Sequence, residues 1–153
     1  MAYPNIFERE VADGVIGRIG LLTADAERVW GKMDVGRMLG HLNVSFEMIY
    51  EPEKHPKAKF PMSLILRYFV KGVVVGEKPL RRNSPTAPQF IMKSDKDFEA
   101  ERTRLIEYIN RTVELGETHF DGREYVSFGT LTAKQYSNML YKHIDHHLQQ
   151  FGA

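Results

Sequence analysis

The chain has 153 residues, 42% of them hydrophobic, which suits one domain with a single core and leaves too little for two ordinary domains. Lysine and arginine number 21 against 20 aspartates and glutamates, so the net charge of +1 supplies no strong field for nucleic acid or an anionic membrane. Cysteine is absent, which excludes disulfides, thiolate nucleophiles and cysteine-held zinc or iron–sulfur centres; any metal must be held by histidine, carboxylate or water.

The opening "MAYPNIFEREVADGV" carries charge in its first turns and lacks the basic and apolar regions of a secretory signal, so the expected compartment is the cytoplasm. Helical periodicity begins over residues 6–22, weakened by Gly14 and Gly17. Trp30, the only tryptophan, follows in "VWGKMD" and is expected to pack at the end of a helical bundle, with substrate stacking as the alternative. Asp34 is a good N-cap for a second helix, "DVGRMLGHLNVSFEMIYE", which Pro52 ends. Residues 60–76, "FPMSLILRYFVKGVVVG", are apolar but contain Arg67 and Lys71, are too short for a membrane span, and read as a buried helix or a lid. Prolines in "EKPLRRNSPTAPQF" complete a crossover of about forty residues. Within it, Arg81 and Arg82 beside Lys78 read as a soluble charged loop, with anion binding as the alternative.

A third helix is expected after Ser94 as N-cap, with Phe98, Leu105, Ile106, Ile109 and Val113 on one stripe and Gly116 as its stop. Glu99, Glu101, Arg102 and Arg104 lie on its solvated side and suit surface ion pairs. The fourth helix has the clearest start. Thr132 is its N-cap, Gln135 the capping-box partner, and Leu131 with Tyr136 the hydrophobic staple. No segment alternates with period two, so the fold class is all-α.

Three of the six histidines fall in "YKHIDHHLQQFGA". At about 100° per residue, Tyr136, Leu140, His143, His147 and Phe151 share a sector of roughly 80°. His143 and His147 therefore face inward one turn apart, the i, i+4 spacing that lets two imidazoles hold one ion. His146 points about 60° away from His143, toward solvent, a subunit neighbour or an outer partner. On helix two, Met38, Leu42 and Ile49 set the apolar face, and His41 sits at its margin with Ser45 close by, the natural third ligand. Three neutral imidazoles leave a metal with open positions, as catalytic rather than structural sites do. The plainer alternative is three ordinary polar side chains, although burying imidazoles without a shared partner wastes polar groups. His55 in "EKHPK" reads as a solvated loop residue, and His119 in "ETHFDG" as part of the loop before helix four.

The stretches "WGKMDVGRMLGHL", "DFEAERTRL" and "FGTLTAKQYSNMLYKHIDHHLQQFGA" together resemble the DinB-like superfamily, over nearly the whole chain. That resemblance implies one domain over residues 1–153, a four-helix bundle of up-down-down-up topology with the long crossover between helices two and three, and a divalent metal on His41, His143 and His147. Relatives often carry a histidine and proline before the phenylalanine-glycine pair, where this chain reads "EYVSFG".

The resemblance supplies most of the expected reaction class, a metal-dependent transferase or hydrolase acting on a small electrophilic molecule; zinc or nickel is the expected ion, with manganese or iron also open. A chain without cysteine would take any thiol it uses from a low-molecular-weight cofactor. The rival readings are a metal-binding or ligand-sensing bundle without catalysis, and an interaction bundle without metal. Neither nucleic acid nor membrane is expected as a partner, and a homodimer is compatible with the sequence.

Overall fold

A computed structural model describes residues 2–153. Its long helices are α1 (Arg9–Gly20), α2 (Val35–Tyr50), α5 (Phe98–Phe120) and α6 (Ala133–Gln150), with the short α3 (Met62–Ile65) and α4 (Lys71–Val75) in the crossover. The chain is mostly helical, and one small antiparallel hairpin pairs β1 (Arg123–Tyr125) with β2 (Gly129–Leu131). Helix α2 packs on α5, α1 packs on α5 and α6, and α6 also touches α2, α5 and α4. None of the described helices is long and apolar enough to cross a membrane.

Helix α2 begins where the sequence places it, with the Asp34 side chain accepting from the Arg37 backbone N–H at 2.8 Å. It is buried nearly all round, which explains its two glycines one turn apart. A Cβ on Gly36 would lie 2.7 Å from the Lys96 carbonyl oxygen, and one on Gly40 3.1 Å from the Met92 sulfur. The extended segment before α5 thus lies directly on α2 and delivers its backbone to the next turn, where His41 sits. At α6, the Thr132 hydroxyl accepts from Gln135 N–H and the Gln135 side chain accepts from Thr132 N–H, the full capping box.

One expectation needs completing and three need correction. The all-α reading is broadly compatible with this mostly helical chain but omits the hairpin, whose three-residue strands are too short to show alternation; Gly122 and Gly129, at φ of 78° and 71°, shape its ends. Helix α5 is capped by Asp97, which accepts from Ala100 N–H at 2.7 Å, and not by Ser94. Gly116 does break the helical conformation, at φ 76° and ψ 171°, but a further turn runs to Phe120. That ring is fully buried against Phe7 and Tyr136, which draws the chain on past the glycine. Residues 60–76 are not a buried helix: Phe60 is 78% and Phe69 76% exposed, and the inward contacts are made by Leu66, Val70 and Val74 alongside the buried Val75. A π-helical turn, Leu66–Val70, joins α3 to α4.

Candidate metal centre

The structure brings His41, from the middle of α2, together with His143 and His147 from α6, so that one ring nitrogen of each lies within 4.8 Å of the others. His41 and His147 are 6% and 8% exposed, and His143 is partly exposed. Among the described residues no carboxylate or further histidine joins this group.

The outward nitrogen of every ring has its own partner. His41 Nδ1 lies 3.0 Å from the Phe90 carbonyl oxygen, which can only accept, so Nδ1 carries the proton and Nε2 a lone pair. Gln150 fixes the second ring. Its Nε2 donates to the Trp30 carbonyl at 2.9 Å, which turns Oε1 toward His147 Nδ1 at 2.8 Å and makes that nitrogen a donor. The nitrogen left to His147 for the cluster is therefore Nε2, unprotonated. His143 Nδ1 meets the Ser45 hydroxyl at 2.9 Å, a group that can either donate or accept. His143 can thus place its proton on either nitrogen.

Electrostatics favour neutral rings. Burial lowers the pKa of His41, against the opposing pull of the Phe90 carbonyl. Burial, then the neighbouring His41, His147 and His146, hold His143 well below the usual imidazole range. Burial and the nearby His41 push His147 down to about 3. A neutral imidazole whose second nitrogen is anchored by a carbonyl, an amide oxygen or a hydroxyl is the form in which histidine binds metal. Ligand nitrogens on a tetrahedral zinc-sized ion sit about 3.3 Å apart. The separations here, 2.8 Å between His41 and His143 and none above 4.8 Å, match that scale.

The other histidines lie outside the triad. His146 is half-buried and packs edge-on to Trp30, with ring centres 5.8 Å apart. Burial, then the Arg82 guanidinium, lower its pKa. His55 is not a solvated loop residue: its Nε2 lies 2.8 Å from a Glu47 carboxylate oxygen, and Arg104 bridges Glu47 and Glu101. His119 belongs to the last turn of α5, beside Arg123 and away from the cluster. The expected ion pairs on α5 include Arg102 with Glu99 at 2.6 Å, while Arg104 reaches across to α2.

Four residues around the site escape a reading by helical face. Gln150 ties α6 to the α1–α2 loop, since Val29 N–H also donates to its carbonyl at 2.7 Å. Gly31 is required there: its φ is +83°, and a Cβ would lie 2.3 Å from Gln150 Nε2. Trp30 is accordingly beside the triad. Lys142, 2% exposed, donates to the carbonyls of Val73, Gly76 and Lys78 at 2.7, 2.7 and 3.0 Å, clamping the crossover to the ligand-bearing helix. Burial lowers its pKa to about 8. The local signals for these contacts were the WG pair and a lysine amid apolar residues, neither of which names its partner.

A mostly helical chain that converges three histidines from two helices is, in class, a candidate histidine-metal protein. The chain belongs to the family described as protein of unknown function (DUF1569), which it matches over residues 8–153. No curated protein and no solved structure matches it.

Proposed function

We propose that His41, His143 and His147 hold a divalent metal ion, zinc or nickel first, and that the protein is a metal-dependent transferase or hydrolase acting on a small electrophilic molecule. The observation that carries this reading is the pairing of three inward ring nitrogens with three separately anchored outward ones. Ordinary buried histidines have no reason to converge in this way. The four long helices and the ligand positions fit the up-down-down-up DinB-like bundle that the sequence resembles, as a single domain.

Three protein ligands leave room for substrate or water, which favours catalysis over a closed structural site. When bound, such an ion lowers the pKa of a thiol or water and supplies a nucleophile near neutral pH. The chain's own residues hold the imidazoles neutral through burial and orient them through Phe90, Ser45 and Gln150. Since the chain has no cysteine, a reacting thiol would come from a low-molecular-weight cofactor. Elemental analysis of protein purified without an affinity tag tests the reading: about one zinc or nickel per chain supports it. Metal well below stoichiometry, with no uptake on addition, points to the metal-free interaction bundle instead.

A further inference from the structure

Beyond His146, on the side away from the triad, stands a cation that the metal reading leaves without a task. The Arg82 guanidinium lies 4.0 Å from the centre of the Trp30 ring. Trp30 meets His146 at 5.8 Å between ring centres, and His146 meets His147 at 5.1 Å. A file of flat groups thus runs from an exposed arginine to a triad histidine.

Both halves of the stack are tied to α6. The Trp30 carbonyl accepts from Gln150, the residue that also orients His147. The segment that leads from α4 toward Arg82 is held by Lys142, the neighbour of His143, through the Val73, Gly76 and Lys78 carbonyls. A turn then reverses the chain: the Ser84 hydroxyl donates to the Arg81 carbonyl at 2.8 Å, and Asn83 adopts φ 55°. An arginine stacked by its face keeps its N–H edges for another group, and a carboxylate fits them in two parallel hydrogen bonds. Among the described residues no carboxylate takes that place. Asp145, beside His146 in sequence, is engaged by Arg18 at 2.7 Å and by the Gln149 amide at 2.7 Å.

We propose that the Arg82–Trp30 stack is the anion-recognising half of the site and takes the carboxylate of a small molecule whose other end reaches the histidine triad. This rests on the metal reading of the triad. It narrows the substrate or thiol cofactor to one carrying a carboxylate several bonds from its reacting atom.

The test uses full-length, cobalt-loaded protein and two thiols alike in length, mercaptohexanoate and mercaptohexanol, titrated by the sulfur-to-cobalt absorption band. Each binds as the thiolate, with its proton released to buffer. The parent is expected to bind mercaptohexanoate about tenfold more tightly, the difference one charged hydrogen-bonded pair makes. Arg82→Gln, an exposed substitution, should bind both thiols alike and mercaptohexanol as the parent does. In zinc-loaded parent, the fluorescence of Trp30 should respond to mercaptohexanoate and not to mercaptohexanol. Equal affinities in the parent, a preference that survives Arg82→Gln, or bound cobalt that takes neither thiol would each overturn the proposal. Failure of cobalt to bind at all would instead remove the metal reading on which it rests.

Discussion

His41 Nε2 and His143 Nε2 lie 2.8 Å apart, a hydrogen-bond distance between two nitrogens of which one is held as a bare lone pair. His143 must then donate, and its Nδ1 accepts from the Ser45 hydroxyl. With an ion on both Nε2 atoms, His143 moves its proton to Nδ1 and Ser45 becomes the acceptor. A hydroxyl serves both states because it alone among the three outer partners can reverse its role. Ser45→Ala should therefore weaken zinc binding about 10- to 100-fold, the usual cost of losing an outer partner of a ligand histidine. Calorimetric titration with unchanged zinc affinity in this variant would remove the role given to Ser45.

The adjacent histidines of α6 should separate cleanly. His147→Ala takes away one of three ligand nitrogens and should abolish tight binding of zinc and nickel. His146→Gln touches Trp30 and the rim and should leave the metal in place. Retention of metal by the first variant and its loss in the second would reverse the assignment.

How much of this was legible in the sequence depends on the distance over which each contact acts. The capping box of α6 is a local exchange between Thr132 and Gln135, and the i, i+4 spacing of His143 and His147 follows from one helix, so both could be read directly. The partner of His41 is the Phe90 carbonyl, 49 residues away, a backbone atom with no side-chain signature. Lys142 was hidden because a helical wheel assigns its opposite face to solvent, whereas here the crossover covers it. The exposed apolar face of residues 60–76 and the three-residue strands failed for related reasons: composition and periodicity do not say which neighbour is present.

Acid should destabilise the metal-free protein. The folded-state pKa values of His41, His143 and His147 all lie below the ordinary 6.5, that of His147 at about 3. The unfolded chain therefore binds more protons between these limits, so the stabilisation is present in full above pH 6.5 and is lost as pH falls toward the folded values. Each group contributes a slope of about 1.4 kcal/mol per pH unit within its window. Melting temperature should fall from pH 6.5 downward, less steeply in His147→Gln, and the extra stability conferred by zinc should fade over the same range. A zinc-induced melting shift that stayed constant into strong acid would contradict histidine ligation.

Lys142→Met should loosen the crossover. The substitution removes a buried charge, but it also strands three carbonyl oxygens that now accept at 2.7–3.0 Å. The second effect should win, at a cost on the order of 2–3 kcal/mol and a fall of several degrees in melting temperature followed by circular dichroism. An equal or higher melting temperature would show that Lys142 is not the clamp described.

Anomalous diffraction from crystals grown with zinc tests the central claim most directly. The account predicts one strong peak about 2.0–2.1 Å from the Nε2 atoms of His41, His143 and His147, with Phe90, Ser45 and Gln150 still on the outer nitrogens. A fully zinc-equilibrated crystal with no peak among these three rings, or with the peak on His146 in place of His147, would contradict it.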